Sequence, residues 1–309
     1  MPRTDFVKTD FAQFPGTAED KPIDGVNESH YVAGVIEEND ADELLLWRFG
    51  SDKSISLGKT VSKIRWHIVR SNHVFASCID GTVHAWVNQG GNWTKQWTLK
   101  PSEDLESRVQ DCNAAKGLLA VSVLTPISSV YILDRNTGTQ LTQVTPAGTN
   151  ANHVVFSFAF SSDGDSFALG TNHKVLVGNL ENPTLVRELP HPESILCLKF
   201  SRDGKILFTG CGDHRLRKWD LETCELLASF EFHKAPIASI ALSSDERNLV
   251  SMDFDGTAMI WNLLVDQPLM AIASHENPLQ ISENSDDRWL VRQRGTAVIA
   301  DRVDRAAEK

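Results

Sequence analysis

Strand-like runs that recur every 39 to 47 residues along a chain of 309 residues predict an all-β fold, a seven-bladed β-propeller. Three observations carry the prediction. Lys218-Trp219-Asp220-Leu221 and Ile260-Trp261-Asn262-Leu263 each close an apolar run, and Trp261 follows Trp219 by 42 residues, the length of one four-stranded blade. The same order of short runs and tight turns leads up to each of them. Seven such units use almost the whole chain.

The closing runs cover residues 43–49, 82–87, 129–134, 174–180, 216–221, 257–263 and 296–302. Their marker positions are Trp47, Trp86, Leu133, Gly178, Trp219, Trp261 and Ala300, at intervals of 39, 47, 45, 41, 42 and 39 residues. A single propeller domain over 1–309 follows, with blades near 20–58, 60–100, 107–145, 153–189, 193–231, 235–272 and 277–303, the last joined by 5–14.

Within the sixth unit, residues 237–242 (IASIAL) alternate with period two, as a strand packed on one face does. Residues 243–247 (SSDER) read as a polar turn, 248–251 as a second strand, Asp255-Gly256 as a tight turn and 257–261 as a third strand. The fifth unit repeats the order with 195–200, 201–205, 206–209, Asp213-His214 and 216–219. The fourth does so with 155–160, 161–164, 167–169, Asn172 and 175–177. After Ala300 only nine residues remain, rich in charge, so the seventh unit lacks an outer strand of its own. The weakly alternating segment 6–14 (FVKTDFAQF) is the candidate to supply it.

These units resemble the WD-repeat family. The resemblance implies a ring closed by the N-terminal strand, which leaves only short, protected sheet edges. It also implies a hydrogen-bonded tetrad in each complete blade. By that likeness the fifth unit offers His191, Thr209, Asp213 and Trp219, and the sixth His233, Ser251, Asp255 and Trp261. Such a network gives each buried polar group a partner and stiffens its blade. Other units depart from the pattern. The second keeps Ser77, Asp80 and Trp86 without a clear His; the fourth has His153 and Asn172 but Gly178 in place of Trp. The third has Ile127 and Leu133, and the seventh Arg294 and Ala300.

Composition narrows the function classes. A net charge of −11 argues against direct binding of nucleic acid, which needs clustered Lys and Arg, and suits solubility or a basic partner. No run approaches the ~18 apolar residues of a membrane span, and the first residues lack an apolar signal core, so no membrane association is expected. Five Cys without CxxC or Cys/His spacing give no metal site, and Cys78, Cys197 and Cys211 read as small core residues. The expected location is cytoplasmic or nuclear.

Chemistry-bearing motifs are absent: no GxSxG, GxxxxGK[ST], HExxH or GxGxxG occurs, so no catalytic residue, cofactor or metal is assigned. Asp163 with Asp165 looks like a paired carboxylate, but Asp and Gly there read more simply as a solvated turn, and so does Asp286-Asp287. His153, His191, His233 and His275 recur ahead of first strands and read as structural. Trp93 and Trp97 lie in an outer-strand region, either half-buried supports or interface anchors.

Function is therefore expected on the loops. By the same resemblance, the starts of the first strands and the turn before the tetrad Asp share the top face. The first-strand positions are Asp24, Ser62, Gln110, Phe156, Leu196, Ala238 and Gln280; the turn positions are Ile79, Thr171, Gly212, Phe254 and Gln293. An apolar centre of Ile79, Phe156, Leu196 and Phe254, rimmed by Gln110, Gln280 and Gln293, suits a short segment of a partner protein. A one-residue change of strand phase would instead turn Phe156 and Leu196 into the blade cores.

The chain reads as a non-catalytic interaction scaffold, a monomeric propeller within a hetero-complex. Segments 158–171 (FAFSSDGDSFALGT) and 195–205 (ILCLKFSRDGK) are similar to the WD-repeat subunit of the superkiller (Ski) complex, which also associates with the Paf elongation complex. That likeness implies a role in mRNA decay and transcription through partner proteins. The alternatives are a histone-tail reader or the substrate receptor of a ubiquitin ligase, which the acidic balance would suit. An enzyme built on the same fold is a third class, with no motif behind it.

Overall fold

A computed structural model of the chain describes residues 8–15, 31–37, 42–48, 54–60, 62–70, 72–101, 107–123, 129–145, 154–243, 246–272, 281–283, 288–294 and 297–303. Among these there is no helix; the strands form seven antiparallel sheets. Sheet 1 holds Tyr31–Glu37, Asp42–Arg48 and Ser54–Lys59. Five four-stranded sheets follow in chain order, over residues 64–99, 107–144, 157–190, 195–231 and 237–272, here sheets 2 to 6. Sheet 7 joins Ile281–Glu283, Arg288–Arg294 and Ala297–Val303 to Lys8–Pro15, whose residues Phe11 to Pro15 pair antiparallel with Asp301 to Ala297. The segment proposed as an outer strand thus hydrogen-bonds to the last strand. In sheet 1, Val32 pairs with Trp47 as Val74 pairs with Trp86 in sheet 2, so its three strands are the second, third and fourth of a unit. Its anticipated first strand, around Asp24, lies outside the described residues.

From sheet 2 to sheet 7 each first strand packs against the next one. The core lies between the sheets. Val74 and Ala76 of sheet 2 pack toward Leu44 and Leu46 of sheet 1, while the intervening Phe75 packs toward Leu119 and Val121 of sheet 3. Second strands are consequently buried on both faces; every residue of His73–Cys78 and Leu118–Val123 is buried. In residues 237–242, Ile237, Ile240 and Leu242 face the core between sheets 5 and 6, and the bulge at Ala238 interrupts the strict alternation.

Two glycines set how closely the sheets approach. A Cβ at Gly170 would lie 2.4 Å from Ser157 Oγ and 2.8 Å from the Ile195 carbonyl; one at Gly210 would lie 2.4 Å from Cys197 Sγ and 2.7 Å from Ile237 Cγ2. In that space Ser157 Oγ donates to the Ile195 carbonyl at 2.8 Å, and Cys197 Sγ reaches the Ile237 carbonyl at 3.6 Å. Gly178, standing where a Trp is expected, has a packing reason: its Cβ would meet Phe167 Cζ at 2.7 Å. Phe167 faces Gly178 as Leu207 faces Trp219, so bulk has moved from the third strand to the second.

In sheet 6 the buried polar network is complete. His233 Nδ1 contacts Asp253 Oδ2 at 2.9 Å, His233 Nε2 contacts Ser251 Oγ at 2.6 Å, and Trp261 Nε1 donates to Ser251 Oγ at 2.8 Å. With the Asp253 carboxylate as the acceptor, Nδ1 carries a ring proton. The acid is Asp253, not Asp255 as the sequence reading has it. Ser251 and Asp253 are two apart on one strand and share a face, whereas Asp255 lies beyond, exposed in the turn.

Sheet 5 departs further. Cys211 occupies the position of Asp253. His191 Nε2 meets Thr209 Oγ1 at 2.8 Å, and Nδ1 meets the Leu189 carbonyl at 3.0 Å. Asp213 does not join them; it forms a two-point pair with Arg217 through Nη1 at 3.0 Å and through Nη2. Burial raises the Asp213 carboxyl, but the Arg217 guanidinium outweighs it and holds the group below the usual range. Trp219 Nε1 has no hydrogen-bond partner among the described residues. In sheet 4, His153 lies outside the described residues, and the buried amide oxygen of Asn172 has no hydrogen-bond partner among those described.

Three outcomes follow for stability. Gly178→Trp will overpack against Phe167 and cost about 1–3 kcal/mol in urea unfolding; adding Phe167→Leu will recover much of that loss. Asp253→Ala will leave His233 Nδ1 and the turn amides unpaired and cost roughly 1–3 kcal/mol, whereas Asp255→Ala will stay within about 0.5 kcal/mol. Burial lowers His73, His84 and His191 from 6.5 to about 4. The unfolded chain therefore binds more protons between those values, so stability falls as pH drops from 6.5 toward 4. Denaturant titrations across that window will show the fall, and His84→Gln will make it shallower.

Candidate functional site

The edge of the sheets that holds the second-to-third-strand turns and the entry to each first strand is built twice in the same way. In sheet 2, Cys78 N donates to the Thr82 carbonyl at 2.8 Å and Gly81 N to the Cys78 carbonyl at 3.1 Å. In sheet 6, Asp253 N donates to the Thr257 carbonyl at 3.1 Å and Gly256 N to the Asp253 carbonyl at 3.0 Å. Gly81 and Gly256 have φ of 85° and 80°, the left-handed region that favours glycine. The second residue of each turn is tied back to the strand entry: Ile79 N to the Lys63 carbonyl at 2.9 Å, Phe254 N to the Pro236 carbonyl at 3.0 Å. Its side chain has nowhere to go but outward, so Ile79 is 43% and Phe254 56% exposed. Asp80 and Asp255 stand exposed beside them. The recurring string is apolar-Asp-Gly-Thr.

The other two such turns among the described residues differ. Sheet 5 has Gly212 at the second position, with its N bonded to the Ser194 carbonyl at 2.8 Å. Sheet 4 closes one residue sooner, Thr171 N to the Lys174 carbonyl at 3.0 Å. Apolar projection from these turns is thus confined, among the described residues, to Ile79 and Phe254.

The first-strand residues are placed less simply. Leu196 is half-buried and is the extra residue of a bulge between Ile195 and Cys197. Ala238 holds that position in sheet 6, and Arg65, rather than Ser62, holds it in sheet 2. Phe156 is half-buried; its N donates to the Gly170 carbonyl at 3.0 Å, and its carbonyl accepts from Arg108 Nη1 at 3.1 Å. Neither aromatic nor leucine is fully inside a core or fully outside. Gln110 is not at the strand entry. It bulges opposite Ala120 and Val121, and its amide donates to Ser122 Oγ at 2.8 Å. Arg108, which sequence reading missed, is the residue at the level of Phe156. Burial lowers its guanidinium from the usual range. Gln280 lies outside the described residues, and Gln293 is seen only as backbone opposite Val298.

Residues with possible chemistry have structural surroundings. Asp163 accepts from Ser161 Oγ at 2.5 Å and from Asp165 N at 3.0 Å, which hold its carboxyl low; Asp165 pairs with Lys116. Burial pushes the Cys78 thiol up to about 11 and Cys197 to about 12, which keeps both protonated and poor as nucleophiles. No group of three or more His, Cys, Asp or Glu that could hold a metal ion occurs among the described residues. Trp97 donates to the Arg135 carbonyl at 3.0 Å and supports the core between sheets 2 and 3, while Trp93 packs on the core between sheets 1 and 2.

Comparison with known proteins matches the described sheets. Residues 183–220 and 224–262 match the WD domain, G-beta repeat. The chain is similar to SIR4-interacting protein SIF2 of Saccharomyces cerevisiae, 33% identical over 92 residues, which is 26% of this chain and 17% of that protein. It is similar to the WD repeat-containing protein 91 homolog of Dictyostelium discoideum, 27% identical over 197 residues, 62% of this chain and 25% of that protein. The chain thus spans a quarter or less of the length of these relatives. A chain in the crystal structure of the mitotic checkpoint complex superposes with a TM-score of 0.77 at 17% identity, over 98% of this chain and 96% of that one, which shows the fold. The family match covers two consecutive repeats, which span the last strand of sheet 4 to the third strand of sheet 6.

Proposed function

We propose that the chain is a protein-interaction scaffold without catalysis of its own, working in the cytoplasm or nucleus as one monomeric propeller in a multiprotein complex. WD-repeat proteins are generally protein-interaction scaffolds. The observation that carries the reading here is the pair of identical turns that hold Ile79 and Phe254 outward on one edge. Exposed apolar anchors on rigid turns lose little conformational freedom when a partner covers them. Phe156 and Leu196, half-buried on the same edge, extend the apolar surface, and Gln280 and Gln293 belong to its surroundings in this reading.

Exposed Asp80 and Asp255 favour a second reading, in which the same edge takes a Lys- or Arg-bearing segment, as a histone-tail reader or a substrate receptor of a ubiquitin ligase would. The finer form of the scaffold reading, a Ski-type role in mRNA decay with a Paf-type role in transcription, rests on the likeness of residues 158–171 and 195–205.

Tagged wild type and Phe254→Asp, purified from native cells and analysed by mass spectrometry, separate these readings. Phe254→Asp is expected to lose the main partner while its thermal unfolding stays unchanged. Recovery of a helicase and a large helical-repeat protein supports the Ski-type role. Recovery of histones or a ligase core supports the second reading, and unfolding of the variant would assign Phe254 to the core.

A further inference from the structure

The opposite edge, where the first-to-second and third-to-fourth-strand turns lie, holds a group of buried nitrogens between sheets 2 and 3. His73 opens the second strand of sheet 2 and is 2% exposed. Its ring stacks on Phe75, with centroids 5.6 Å apart and 5° between planes, and Phe75 meets Trp97 at 6.1 Å. His73 thus stands at the mouth of the core that Phe75 and Trp97 share with sheet 3. The sheet 3 turn from Asp134 to Thr139 lies against Trp97. Trp97 Nε1 donates to the Arg135 carbonyl at 3.0 Å, and a Cβ at Gly138 would lie 3.0 Å from the Trp97 ring. Arg135 is thereby held near His73, whose ring feels its charge and has the side chains of Gln96 and Asn136 beside it.

Three nitrogens of this group are buried with no hydrogen-bond partner among the described residues: His73 Nε2, Arg135 Nε and Arg135 Nη1. They differ in kind. A guanidinium stays charged and only donates. His73 Nδ1 faces Asn72 Oδ1 at 2.9 Å and so carries the ring proton. Burial, and after it the Arg135 charge, lowers His73 to about 4, so at neutral pH Nε2 is a bare acceptor. The adjoining acid, Asp134, is turned to its own loop, where Oδ1 accepts from Asn136 N at 2.9 Å, Thr137 N at 2.8 Å and Thr137 Oγ1 at 3.1 Å. Lys95, beside Gln96, lies over the Trp86 ring on the other face of sheet 2. Asn72, Gln96 and Asn136 are exposed, so the buried nitrogens lie under a rim of amides whose side chains can turn aside without disturbing a core.

We propose that this group is a binding site for an oxyanion that carries a hydroxyl, namely hydrogen phosphate. Its charged oxygens accept from Arg135 Nε and Nη1, its hydroxyl donates to His73 Nε2, and the rim amides add donors. One ligand thus satisfies both kinds of buried nitrogen, each of which is unfavourable when left unmet. A carboxylate or sulfate brings acceptors alone and leaves Nε2 without a donor. A phosphorylated side chain has lost its last hydroxyl by pH 7, its second pKa being about 6, while doubly charged free phosphate still keeps one. The site lies on the edge away from Ile79 and Phe254 and does not depend on the scaffold reading.

The test is calorimetric titration of the full chain at neutral pH with sodium phosphate, and with sodium sulfate at equal ionic strength. Phosphate is expected to bind at least about tenfold more tightly than sulfate, because a site built for a hydroxyl rejects the analogue that lacks it. Arg135→Met should weaken phosphate about tenfold. His73→Phe should abolish the preference for phosphate over sulfate. In the wild type the nitrogen NMR resonance of His73 Nε2 should move with phosphate and not with sulfate, a readout that stands even where a variant fails to fold. Absence of phosphate binding, equal affinity for sulfate, a folded Arg135→Met chain that binds as the wild type does, or an Nε2 resonance that phosphate leaves in place would each overturn the proposal. A phosphoserine peptide is expected to bind more weakly than free phosphate; tighter binding would overturn free phosphate as the occupant in favour of a phosphorylated partner.

Discussion

A sheet with apolar residues on both faces cannot bury either face alone, and everything else in this structure follows from that constraint. Val74 and Ala76 need sheet 1, Phe75 needs sheet 3, and neither set has a core until both neighbours are in place. Repeat architectures in general owe their stability to such shared interfaces. Close approach of the inner strands then becomes a requirement. Gly170 and Gly210 meet it by leaving room for Ser157 and Cys197 to reach the next sheet's backbone. Once the strands are fixed on both sides, their turns can only project along the two edges, and the edges are where partners can be met.

Sheets 5 and 6 show two ways of holding the same kind of turn. In sheet 6 a carboxylate on the second strand, Asp253, binds the histidine and also accepts from the turn amides of Asp255 at 3.1 Å and Thr257 at 2.9 Å. Sheet 5 has a thiol at that position, and the turn carboxylate Asp213 is held by Arg217 on the third strand instead. The turn geometry is kept while the chemistry that secures it changes. The exchange of bulk between Phe167 and Gly178 in sheet 4 is the apolar version of the same freedom.

The architecture was legible in the sequence because the Trp219-to-Trp261 interval and the turn dipeptides report the period directly. Faces and registers were not. The two aspartates of Asp253-Phe254-Asp255 differ only in which lies on the strand face of Ser251, and spacing from the tryptophan does not reveal that. Bulges hid Leu196 and Gln110, since one inserted residue reverses every later inward or outward assignment. Arg108 gave no signal at all; a lone arginine in a strand looks solvated until its guanidinium is found on the Phe156 carbonyl.

The pairing of Lys8–Pro15 with Ala297–Val303 joins residues nearly the full length of the chain apart. On a ribosome that adds roughly 5–20 residues per second, the first of these strands emerges tens of seconds before the second exists. Throughout that interval its backbone donors and acceptors have no partner from its own sheet, while the middle sheets can already assemble on one another. This strand is therefore made long before its partner, and sheet 7 is the step at which crowding, a chaperone or a neighbouring nascent chain has the longest opportunity to intervene.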